Sequence, residues 1–99
     1  MKFLATWTIS QDKWLQLCKT WSSMSPQERA AVGDGVKLIG RWHDHVSRKG
    51  AGVWEANDLA AVTRYMGTWN PYMDIEITPV LDDEESAVVC GQIVADNNA

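Results

Sequence analysis

The spacing of apolar residues changes in a set order along this chain, and that order restricts the fold more than any other feature. Residues 2–9 alternate, with Phe3, Ala5, Trp7 and Ile9 on one face and Lys2, Leu4, Thr6 and Thr8 on the other, which predicts a strand. Trp14, Leu17, Cys18 and Trp21 then fall at helical spacing after Ser10, a capping residue. Ser25-Pro26-Gln27-Glu28 is a capping-box sequence with Pro at the first helical position, predicting a short helical piece to Val32. Gly33-Asp34-Gly35 reads as a turn. Alternation resumes over Val36 to His43 and, after a polar loop from Asp44 to Gly50, over Ala51 to Ala56.

Asn57 is placed to cap a second main helix, whose Leu59, Val62, Met66 and Trp69 repeat the helical stripe until Asn70-Pro71 stops it. Tyr72 to Val80 alternates once more. A short helix from Asp82 to about Val94 and a polar frayed tail, Asp96 to Ala99, complete the chain. The order is β-α-β-β-α-β plus a terminal helix. It predicts one α+β domain over residues 1–99, a ferredoxin-like split βαβ core to residue 81, with strands one and three central and both main helices on one face.

No apolar run approaches the roughly 18 residues that a membrane-spanning helix needs. The start, Met1 to Thr8, has neither an h-region nor a cleavage site, so the expectation is a cytoplasmic protein. Nine Lys and Arg are scattered among 13 Asp and Glu, a net charge of −4 that argues against nucleic acid as partner. Asp82-Asp83-Glu84-Glu85 reads as the first turn of the terminal helix, where carboxylates meet the positive end of the dipole. Cys18 and Cys90, far apart and outside any C-x-x-C, read as reduced thiols.

The sheet face away from the helices would hold Leu4, Thr6, Thr8, Ile39, Arg41, His43, Val53 and Glu55. Such a mixed face suits a second copy of the chain, paired about a two-fold axis, better than bulk water. On it, Arg41, His43 and Glu55 would share a neighbourhood with Thr6 or Thr8. His43 then reads as a general base, Glu55 as the group that orients it, and Arg41 as the stabiliser of a developing anion. The competing account is an Arg41–Glu55 ion pair with His43 merely lining the interface. His43-Asp44-His45 also sets two imidazoles at strand spacing, with Glu55 or Glu76 as third metal ligand, a weak signal that leads us to expect no metal.

Trp is usually about one residue in a hundred, and here it is six. Trp14, Trp21 and Trp69 sit on helical stripes and predict core. Trp7, Trp42 and Trp54 lie on strands, where core packing is the first account of each and at least one is a candidate wall of a pocket for a flat ligand, with Thr6, Tyr72 and Tyr65 as its hydroxyl groups.

Four segments carry a resemblance: residues 3–9, the Gly35 to Asp44 block with its Gly-Arg-Trp-His, Gly52 to Ala56, and Ile77 to Glu85. Together they resemble a bacterial domain-of-unknown-function family of short proteins that is similar to the dimeric α+β barrel superfamily. The resemblance spans Met1 to about Glu85 and implies the fold and a homodimer. That superfamily includes cofactor-free monooxygenases, lactone isomerases, haem-handling enzymes and plain ligand-binding modules, and no motif here selects among them. Two expectations result. One is a small-molecule-binding protein, in its catalytic form a cofactor-independent oxygenase, isomerase or cyclase acting on a small aromatic or carbonyl metabolite. The other is a non-catalytic binding or accessory module whose dimerisation is its function.

Overall fold

A computed structural model describes residues 1–98. Its elements follow the predicted order: β1 (Lys2–Ile9), α1 (Gln11–Ser23), α2 (Pro26–Ala30), β2 (Val36–Asp44), β3 (Lys49–Ala56), α3 (Leu59–Met66), β4 (Met73–Val80) and α4 (Asp83–Asn98). The four strands form one antiparallel sheet in the order β2-β3-β1-β4, so the first and third strands are central. This is the ferredoxin-like α+β arrangement.

β1 needs its strict alternation because it is paired on both sides. Phe3, Ala5, Trp7 and Ile9 are buried toward the helices, while Leu4, Thr6 and Thr8 face outward. Leu17 from α1 and Val62 and Met66 from α3 close the core over them, joined by Trp54 and Trp69. Ser25 and Glu28 form the reciprocal capping box, Ser25 Oγ accepting from the Glu28 N–H and Glu28 Oε1 from the Ser25 N–H. Gly33 and Gly35 both take positive φ, 94° and 75°, which turns the chain into β2 at little steric cost.

Beyond small shifts at other ends, with α2 stopping at Ala30 and β3 starting at Lys49, the boundaries differ from expectation in three places. Asp58, not Asn57, caps α3, its side chain accepting from the Ala61 N–H. The helix stops at Met66, so Trp69 reaches the core from the turn that follows. α4 runs on to Asn98 instead of fraying after Val94, and Ala99 lies outside the described residues. The acidic run starts that helix, because Asp82 and Glu85 cap each other through their backbone N–H groups at 3.1 and 2.8 Å. Those contacts hold the Asp82 carboxyl below its usual range, helped by Lys2 Nζ donating at 3.0 Å. No residue of α4 is buried.

Three glycines explain where the strand tryptophans lie. Gly50 faces Trp7 across the β1–β3 ladder, and a Cβ built on it would overlap the indole. Gly52 and Gly40 are covered in the same way by Trp54 and Trp42, two residues along their own strands. Each indole therefore lies over the sheet where a side chain is missing, which packs the large rings of Trp7 and Trp54 into a small core, while Trp42 covers its glycine on the exposed side.

Candidate functional site

β2 does not keep a single alternation. Its register with β3 shifts between Leu38 and Gly40, leaving Ile39 without a facing residue. A one-residue bulge swaps the faces of everything beyond it. Val36 and Leu38 face the helices, opposite Ala56 and Trp54, yet so do Arg41 and His43, opposite Gly52 and Gly50. The expected Arg41, His43 and Glu55 group is therefore divided between the two faces. Glu55 stays on the open side between Lys37 and Lys2, with Lys2 Nζ 4.0 Å from its carboxylate. It cannot orient His43 or pair with Arg41 through the sheet. Nor are Thr6 and Thr8 its neighbours, since they face Ala51 and Lys49.

The same swap moves Trp42 the other way. It lies on the open face at 66% exposure and not on the helix side. With Thr6, Asp44 and Asp74 it lines an open depression of about 560 Å³, a shape better described as the hollow of a twisted sheet than as an enclosed pocket. Tyr72 packs on Trp69, ring centroids 6.1 Å apart, at the far end of the α3–β4 turn.

On the helix side, Arg41 and His43 enter an aromatic cluster. The Arg41 guanidinium lies over the Trp21 ring, 4.6 Å from its centroid, and donates to the Tyr65 hydroxyl at 3.1 Å and to the Arg29 carbonyl at 2.9 Å. The His43 ring packs against Trp21 at 5.1 Å and Trp7 at 6.0 Å. His45, on the same side, stacks on His43 at 5.7 Å with the planes 3° apart, and its Nδ1 accepts from Trp14 Nε1 at 3.2 Å. The two imidazoles are adjacent as expected, but Glu55 and Glu76 lie across the sheet from them. Among the described residues no set of three His, Cys, Asp or Glu is placed to hold a metal ion.

These groups border a cleft between sheet and helices, lined by Trp7, Trp21, Arg41, His43, Trp54 and Tyr65 among others. Water-sized groups can be centred in about 40 Å³ of it. The cleft is partly open to solvent. The Trp54 side chain is 1% exposed, and its Nε1 has no hydrogen-bond partner among the described residues. Trp21 and Tyr65 are the residues whose importance the helical stripe and the fold order left undervalued. The adjacent apolar pair Leu38-Ile39, followed by Gly40, was the available signal, because strict alternation cannot place both apolar residues on one buried face.

Burial against the indoles pushes the His43 pKa below the ordinary imidazole value of 6.5, and the Arg41 charge and His45 lower it further. A base whose folded pKa is depressed binds fewer protons folded than unfolded just below that value. Stability is therefore retained above pH of about 6.5 and declines as pH falls through it. Urea denaturation of the wild type from pH 8 to pH 5 is expected to show that decline, and His43→Gln to remove part of it. An unchanged slope in the variant would mean that His43 titrates as it does in the unfolded chain.

The chain matches the family described as Domain of unknown function (DUF3303) over residues 1–94. No curated protein matches it.

Proposed function

We propose that this chain, which belongs to the DUF3303 family, binds a small molecule in the cleft between sheet and helices and works as a pair of copies. The observation that carries the reading is the convergence of Arg41, His43 and Tyr65 on a cleft walled by indoles. Apolar walls with a few placed polar groups are the usual form of a small-molecule site. In its catalytic form the site would use no cofactor. His43, kept neutral at pH 7 by its surroundings, would take a proton from an acidic carbon or phenol of an aromatic or carbonyl compound. Arg41 would hold the anion formed. Trp7 and Trp54 serve as walls, and Glu55 has no part in this chemistry.

Pairing of two copies through the open sheet face completes the proposal, as in the dimeric α+β barrels that the sequence resembles. Leu4, Ile39 and Trp42 are exposed on or beside that face, at 36%, 48% and 66%. It carries both signs of charge, Lys2, Lys37 and Lys49 against Asp74, Glu76 and Glu55, so a two-fold copy can set opposite charges together. The reading without catalysis, in which this pairing is the function, rests on the same residues.

One experiment separates the two. A thermal-shift screen of small aromatic and carbonyl metabolites is run on the wild type and on His43→Ala, with sedimentation of both. The site reading expects hits on the wild type that His43→Ala loses while remaining dimeric. No hits from a dimeric wild type would leave only the interaction module, and a monomeric wild type would remove that as well.

A further inference from the structure

The charges around the cleft are one-sided. Arg41, His43 and Lys49 line it, and no Asp or Glu does, although the chain has 13 acidic residues against nine basic ones. The Arg41 guanidinium, partly buried, spends its hydrogen bonds on a hydroxyl and a carbonyl and its flat face on Trp21. Arg29 lies over the same ring at 5.9 Å, adding a second cation. Among the described residues the ion pairs all belong to Lys2, on the open face, and none to either arginine. A partly buried guanidinium without a counter-ion, beside a second one, is a costly arrangement unless an anion completes it.

A second, independent feature is Trp54 Nε1. It is a buried donor without a protein acceptor, on a residue that lines the same cleft. Natural structures leave few such groups unsatisfied. Apart from the one acceptor nitrogen of a neutral His43, the polar groups offered to the cleft are donors: the remaining N–H groups of Arg41, the Tyr65 hydroxyl proton and Trp54 Nε1. The cleft asks for an acceptor carrying negative charge.

We infer that the ligand of this cleft is a small organic carboxylate with a flat apolar body. The inference rests on the small-molecule reading above and adds the substrate class. The charged end is placed against the donors of the cleft, the Arg41 guanidinium and Trp54 Nε1. The planar guanidinium suits a carboxylate's two oxygens. The apolar body then lies in the mouth against Trp21 and Trp7, where a flat shape gains most contact.

The test compares benzoate with its neutral isostere benzamide and with benzylamine on the wild-type protein, read by calorimetry and tryptophan fluorescence. Benzoate is expected to bind at least about tenfold more tightly than benzamide, the ratio for one charge-assisted contact, and benzylamine not at all. Arg41→Gln should abolish the preference for benzoate while leaving benzamide binding as it is, and Arg41→Lys should restore part of it. Trp54→Phe should weaken benzoate more than benzamide. Equal binding of benzoate and benzamide, or a preference that survives Arg41→Gln, overturns the carboxylate and leaves the small-molecule site standing. Failure of every probe, charged or neutral, overturns both. Should Arg41→Gln not fold, by circular dichroism, the wild-type comparison of isosteres still decides.

Discussion

Gly52→Ala is expected to cost this domain about 2–3 kcal/mol, although it adds only one methyl group. The new Cβ would meet the Trp54 ring at 2.5 Å and the Gly40 carbonyl oxygen at 3.0 Å. Neither can give way easily. Trp54 is held in the core between Trp7 and Tyr65, at 6.2 Å from each, and Gly40 O belongs to the neighbouring strand. Relief requires either expelling the indole or spreading β2 from β3 just beyond the bulge. At about 4–8 °C per kcal/mol for a chain of this size, Tm should fall by roughly 10–20 °C.

Gly91→Ala supplies the control. Nothing lies within 4 Å of a Cβ at Gly91, which sits in α4, and exchanging an exposed helical Gly for Ala should gain about 1 kcal/mol. The same substitution thus has opposite signs at two positions of one chain, decided by whether an indole occupies the space. Smaller rings at position 54 should recover part of the Gly52→Ala loss. If Gly52→Ala melts with the wild type, the indole is not lying on that glycine, and the account of the tryptophan content fails with it.

The element order was legible because each change of period is a property of the chain itself. Phe3, Ala5, Trp7 and Ile9 had to share a face, and the capping box at Ser25 formed where its sequence said. The bulge at Ile39 was not legible in that way. Alternation from Val36 to His43 looks unbroken when polar Arg41 and His43 are read as the outward set, and tertiary packing then reverses them. Arg41 faces inward because its charge is spread over Trp21 and its N–H groups reach Tyr65 and Arg29. Partners from α1, α2 and α3 are invisible to a reading along one strand. The candidate site was consequently half right in content and wrong in placement: Arg41, His43, Trp7 and Trp54 share a cleft, while Glu55, Thr6 and Trp42 belong to the other face.

Trp54→Ala should nearly unfold the protein, and comparison with Trp54→Phe tells what the indole N–H is for. Trp54 is one of the largest fully buried side chains, with Phe3 and Val62. Truncation to Ala leaves a large cavity at a cost of about 3–5 kcal/mol, most of what a domain with the lower range of ordinary stability possesses. Phe leaves a smaller void and at the same time removes Nε1, a buried donor whose unmet hydrogen bond costs about 1–3 kcal/mol. The two effects oppose each other, so Trp54→Phe is expected to lose less than about 1.5 kcal/mol by urea denaturation. A loss as large as that of Ala would mean that Nε1 is satisfied in solution, and the buried donor could no longer count toward an anion in the cleft. With saturating benzoate the order should reverse in significance: the wild type gains stability by mass action, and Trp54→Phe, which folds nearly as well without ligand, gains less. A fold-stabilising role for the indole affects the first measurement alone, whereas a ligand-binding role of its N–H shows only in the second.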